Sequence, residues 1–168
     1  MSQIEFEKLS DWAWAIRELP SSIEAIFIDD NIILAGDKEG SVGCWNHEGE
    51  LLWKQEIGNR VEKFALTEKS NDANLFLVAG LELCGLNSSS GEILWRAELE
   101  GISDWVAVDE KYNQVIATSS VFDIEHYDFM EGACWRFSFD GELLDVYRMD
   151  EKAWHLNSIL FCYSPYHE

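Results

Sequence analysis

GEILW, at Gly91 to Trp95, occurs almost unchanged as GELLW at Gly49 to Trp53, and once more as GELLD at Gly141 to Asp145. The copies begin 42 and then 50 residues apart, counting from Gly49 to Gly91 and from Gly91 to Gly141. Self-similarity at such a period marks a chain built from stacked structural units. Outward from each copy the same order of segments returns: an apolar run, a polar turn, a second run, a third short run, the glycine turn and a fourth run. The first unit reads IEAIFIDDNIILAGDKEGSVGCWNHEGELLWKQEIG from Ile23, and the second VEKFALTEKSNDANLFLVAGLELCGLNSSSGEILWRAELEG from Val61. The third, from Ile102, is ISDWVAVDEKYNQVIATSS followed after an insertion by ACWRFSFDGELLDVYRMD.

The runs alternate, or form short β-branched and aromatic blocks, between clusters of Asp, Asn, Gly and Ser, which is the pattern of strands rather than helices. Leu51, Trp53, Gln55 and Ile57 are expected on one strand face, as are Ile93, Trp95, Ala97 and Leu99. Four antiparallel strands per unit at this period predict an all-β chain, a partial β-propeller forming one domain over 1–168. Its three complete blades fall at 23–58, 61–100 and 102–150, with an extra outer strand at 11–20 and an extra inner strand at 153–163. Gly49, Gly91 and Gly141 are the turn residues that permit positive φ, and Trp53 and Trp95 supply the area buried between one blade and the next. In the third copy Asp145 stands where that tryptophan would be.

GLNSSSGEILW, Gly85 to Trp95, resembles the tryptophan-docking repeat of quinoprotein-type, PQQ-like propellers, Ala-x-Asp-x-x-Thr-Gly-x-x-x-Trp. Gly85 stands at the Ala position, Asn87 at Asp and Ser90 at Thr, while Gly91 and Trp95 match outright; the first unit fits through Asn46, Gly49 and Trp53, and the third through Gly141. That superfamily includes alcohol and glucose dehydrogenases that bind pyrroloquinoline quinone and calcium, an outer-membrane assembly scaffold and many binding propellers. The dehydrogenases share only blade packing with this chain and use about eight blades, so the expectation is a protein-interaction module without a cofactor; the alternatives are a ligand-binding or enzymatic quinoprotein-like propeller completed by oligomerisation, and an acidic chaperone or mimic that masks a basic protein. WD-repeat propellers, the second choice, carry Gly-His and Trp-Asp pairs that are missing here. Three blades do not close a ring, which leads to the expectation of a longer protein, or of completion by a second copy or a different subunit.

Among 168 residues, 32 acids face 12 bases, a net charge of −20, and 47% are hydrophobic. Such a balance supplies a core but argues against nucleic acid or anionic membranes as partners, since both are bound through clustered Lys and Arg. The start, MSQIEFEKLS, has neither the charged nor the apolar region of a secretory signal, and no run approaches the roughly 18 apolar residues of a membrane span. A cytoplasmic location is therefore expected, with a neutral or basic protein as partner. Cys44, Cys84, Cys134 and Cys162 lack the close spacing of a zinc or redox motif and read as buried thiols.

Two groups of residues are candidates for partner binding. The turns between first and second strands and between third and fourth strands share one end of the blades. They offer eleven acids, among them Asp29, Asp30, Asp109 and Glu110, against only Lys69 and Lys111. Such an end either docks a basic surface or merely solvates the turns. The opposite end carries the insertion SSVFDIEHYDFMEG, Ser119 to Gly132, with Phe122, Asp123, Glu125, His126, Tyr127 and Asp128. An aromatic loop on a rigid scaffold reads as a recognition element or as cover for a blade edge. Its carboxylates and histidine are the residue types of a metal or acid–base site, but their spacing fits no calcium loop or H-E-x-x-H pattern. Gly-x-Ser-x-Gly and phosphate-cradling loops are missing as well, so a catalytic role is not expected.

Overall fold

The computed structural model describes residue 13 and residues 15–152. They form twelve strands in three four-stranded antiparallel sheets without a helix. β1 (Ile23–Ile28), β2 (Ile32–Asp37), β3 (Ser41–Asn46) and β4 (Leu51–Glu56) make the first blade. β5 (Val61–Leu66), β6 (Leu75–Ala79), β7 (Glu82–Leu86) and β8 (Ile93–Glu98) make the second. β9 (Ile102–Asp109), β10 (Gln114–Asp123), β11 (Asp128–Ser138) and β12 (Leu143–Met149) make the third. Strand order follows chain order in every sheet, and β1, β5 and β9 pack on one another as the inner strands.

Two apolar layers join the blades. Leu34, Val42, Cys44 and Trp53 of the first blade meet Val61, Phe64, Leu75, Leu77 and Leu86 of the second. On the other side of the second blade Phe76, Val78 and Leu83 meet Val106, Val115, Ala117, Trp135 and Phe137 of the third. The middle blade is thus apolar on both faces, the arrangement that lets stacked repeats bury what a lone repeat cannot.

The repeated pentapeptide encodes three things at once. Gly49, Gly91 and Gly141 have φ of 79°, 75° and 86°, the left-handed region that glycine enters without strain. Each donates its N–H within the turn, to Asn46 O, Asn87 O and Ser138 O respectively. Side chains close the same turns: Asn46 Oδ1 accepts from Glu50 N, Asn87 Oδ1 from Ser89 N and Ser90 N, and Ser138 Oγ from Glu142 N. Two residues beyond each Gly-Glu pair comes a β-bulge, because Leu52, Leu94 and Leu144 have no cross-strand partner. One extra residue reverses the faces on its two sides. This corrects the expected strand faces: Trp53 and Trp95 point to the following blade, whereas Leu51 pairs with Trp45 on the opposite face and Ile93 packs back toward the first blade.

Behind the bulge, each indole docks on the next turn. Trp53 donates Nε1–H to Ser88 O at 2.7 Å, and Trp95 to Phe139 O at 2.8 Å. A Cβ on Gly91 would lie 2.5 Å from Trp53 Cε3, and one on Gly141 2.7 Å from Trp95 Cδ2, so glycine serves here for close approach as well as for φ. Burial of one such ring is worth roughly 3 kcal/mol or more.

Residues 15–19, within the expected outer strand 11–20, carry no strand pairing. The arm is held by a side chain instead: Arg17 donates Nε–H to Gly49 O. The strand expected at 153–163 lies outside the described residues, as do Trp154 and Cys162.

Candidate functional site

The ten candidate residues fall into two groups at opposite ends of the blades. At one end, Asp29 and Asp109 spend their carboxylates locally: Asp29 Oδ1 accepts from Asn31 N and Ile32 N, and Asp109 Oδ1 from Lys111 N and Tyr112 N. These are Asx turns, which explains Asp at those positions without a ligand. Asp30 is exposed. Glu110 bridges two blades, accepting from Thr67 Oγ1–H through its carboxylate and from Lys69 Nζ through its carbonyl. Between the ends of the inner strands lies an open cleft of about 520 Å³, lined by Phe27, Ala65, Leu66, Val108, Asp109, Glu110 and Lys111.

At the other end, β10 and β11 run on past their neighbours. β9 pairs with β10 only as far as Ser120, and β12 with β11 only from Gly132. Among the described residues, 121–123 and 128–131 therefore pair only with each other, and the hairpin runs on past the rest of its sheet. Asp123 builds its tip, with Oδ1 accepting from Glu125 N at 2.7 Å and His126 N at 3.2 Å, and Oδ2 lying 2.9 Å from His126 Nδ1. The bond to His126 and then the two backbone N–H groups hold the Asp123 carboxyl below its usual range. Tyr127 has φ of 55°, a left-handed conformation that is uncommon for a non-glycine residue.

Phe122 meets Phe129 edge-on at 5.2 Å between ring centres and Tyr127 at 6.4 Å. The cluster does not bury the tip: Ile124 is 76% and Tyr127 83% exposed, and Val121, Phe122 and Met130 are exposed as well. Asp123, Glu125, Asp128 and Glu131 alternate with these side chains along the chain, no Lys or Arg lies between Ser119 and Gly132, and Lys152 Nζ sits 3.9 Å over the Phe129 ring. Among the described residues no group of three or more His, Cys, Asp or Glu is placed to hold a metal ion.

Sequence reasoning missed a third constellation. Each inner strand carries a bulge, and the residue without a partner is an acid each time: Glu24, Glu62 and Asp104. Arg60 ties the first two together, at 3.0 Å from Glu24 and 3.1 Å from Glu62, and Lys152 lies 2.7 Å from Asp104. Lys63 sits over the Trp105 ring at 4.0 Å. Burial pushes the Glu62 carboxyl up; Arg60 and Lys152 oppose this while Glu24 and Asp104 add to it. An acid one or two residues into each unit, after Ile23, Val61 and Ile102, was the available signal. The buried thiols are inert: burial pushes Cys44 up to about 11, Cys84 to about 12 and Cys134 to about 11.

No protein-family model and no curated protein matches the sequence. Among solved structures the chain is similar to the computationally designed Ika4 protein, at 18% identity and a TM-score of 0.63 over 82% of this chain and 80% of that one. It is similar at the same identity and TM-score to the computationally designed Ika8 protein, over 82% of this chain and 40% of that one. BamB from Moraxella catarrhalis is similar at 13% identity and a TM-score of 0.57, over 73% of this chain and 34% of that one. The chain thus spans most of Ika4 but less than half the length of the other two. These neighbours are propeller proteins, and the three sheets described above are β-propeller-like blades.

Proposed function

We propose that this chain is a non-catalytic protein-interaction module of the quinoprotein-like type, acting as a scaffold in a cytoplasmic assembly and docking a neutral or basic protein. The observation that carries the reading is the β10–β11 hairpin, whose tip exposes Phe122, Ile124, Tyr127 and Met130 on a segment interleaved with acids. Large apolar side chains held in water at the end of a rigid hairpin gain free energy when a partner covers them, at about 25 cal/mol per Å² of apolar surface. The acids contribute no such area; they raise the encounter rate with a basic surface and weaken that attraction as salt increases. The quinoprotein-like assignment is supported by the two indole docks and by the likeness to BamB.

A photo-crosslinking residue in place of Ile124 tests the reading in lysate of the source cells. One defined protein should be captured at low salt, less of it at high salt, and none when Tyr127→Ser and Phe122→Ser are combined. Equal capture by the double variant, with unchanged thermal melting, would refute docking through the tip.

A further inference from the structure

The three glycine turns are equivalent seats, and two of them hold an indole from the preceding blade. The third, at Gly49, holds a different group. A Cβ there would lie 2.8 Å from Arg17 Nη2, 3.3 Å from Arg17 Cζ and 3.1 Å from Ala15 Cβ. Arg17 thus occupies the place over Gly49 that Trp53 takes over Gly91 and Trp95 over Gly141; its Nε–H bonds to Gly49 O, the glycine's own carbonyl, whereas the indoles bond to carbonyls earlier in their turns, Ser88 O and Phe139 O. An apolar cleft of about 220 Å³ lies between the arm, through Arg17 and Leu19, and the outer face of the first blade, through Ile23, Ile26, Ile33 and Trp45, so moving the arm widens it along that face. Ile26 on its floor is 61% exposed.

We propose that this seat and cleft form a binding site for an extended, tryptophan-bearing strand of a partner protein, with Arg17 as a displaceable plug. The chemistry of the occupant follows from the two filled seats, which continue the same blade-to-blade interface: a flat ring over glycine, an N–H aimed at the turn, and a flanking aliphatic face. A guanidinium imitates the flat ring and the N–H donor but brings little apolar surface, so an indole has more to bury at the same place. Displacing the arm breaks no ladder hydrogen bond, because residues 15–19 make no strand pairing, and Ile16 and Arg17 are already exposed. This site stands apart from the hairpin and does not rest on the reading of it.

A labelled synthetic peptide with the sequence GELLWKQEI, residues 49–57 of this chain, supplies a strand already known to fill such a seat, and fluorescence anisotropy reads its binding to the full chain. Arg17→Ala should bind it about tenfold more tightly than the wild type, equivalent to roughly 1.4 kcal/mol. Ile26→Asp, a substitution at an exposed position, should abolish binding in the Arg17→Ala background with melting unchanged. The peptide carrying alanine for tryptophan should not bind. Absence of tryptophan-dependent binding to a folded Arg17→Ala variant would overturn the proposal. So would self-association of that variant, blocked by Ile26→Asp, without peptide binding, since the seat would then belong to a second copy.

Discussion

Trp95 is gripped from three sides. Gly85 lies directly opposite it on β7, where a Cβ would collide with the indole; Gly141 faces it from the next blade; and Phe139 O accepts its Nε1–H. Trp95→Phe keeps most of the ring contact but leaves that carbonyl without its donor, so a loss of about 1–3 kcal/mol is expected from urea unfolding. Gly141→Ala adds a methyl 2.7 Å from the indole at a φ of 86° and should cost at least about 1–2 kcal/mol. Glu62 argues in the other direction. Its folded carboxyl binds a proton more readily than an unfolded glutamate does, because burial outweighs the Arg60 and Lys152 charges. Its contribution to stability is therefore full below the ordinary glutamate range and is lost as pH rises through the raised folded value. Glu62→Gln should melt higher than wild type at pH 7, with the gap closing toward pH 4. A lower melting point at pH 7 would mean that the Arg60 pair outweighs burial.

At the scale of the element, the bulge decides which face each neighbouring side chain takes. Leu94 is the unpaired residue that lets Ile93 face back to the first blade and Trp95 forward to the third. Deleting Leu94 removes only the extra residue: Ile93 and Trp95 become neighbours, keep their partners Leu86 and Gly85 and still face opposite ways, so melting followed by circular dichroism should stay cooperative. Deleting Leu144 should likewise leave Leu143 and Asp145 on opposite faces, and a loss of cooperative melting in either variant would show that the bulge itself is needed. This device also marks the limit of what the sequence discloses. The turn glycines and docking tryptophans are legible because they recur as letters. The bulges are not, since two adjacent aliphatics give no sign of which one is extra, and the predicted faces failed at Leu51 and Ile93. The inner bulges at Glu24, Glu62 and Asp104 stayed hidden among 32 acids. The hairpin tip was legible as excess length, but how far it runs past its sheet depends on where β9 and β12 stop pairing. Nothing in the letters marks Asp37 as wholly buried and accepting from Ser21 N, Glu39 N and Ser41 N.

For the molecule as a whole, the two apolar layers make the second blade the keystone: it is covered by the first on one face and by the third on the other. In a linear stack an end unit can peel away while the rest stays folded, but a middle unit opens only after a neighbour has left. One buried thiol lies in each blade, Cys44, Cys84 and Cys134, and each is kept protonated by burial, so alkylation reports opening rather than intrinsic reactivity. With Cys162 replaced by serine, all three should resist a maleimide in native buffer near pH 8. In urea below the main transition, Cys134 should react first. Among the described residues its face of the third blade carries Ile116, Trp105, Ala107 and Met149 in apolar contact, whereas Cys44 lies in the larger layer shared with the second blade. Cys84 should react last, because either route to it begins with the loss of an end blade. Mass spectrometry of the labelled peptides measures the order. Simultaneous modification of all three would show that the blades unfold as one unit, and that the coupling between layers exceeds the stability of any blade within it.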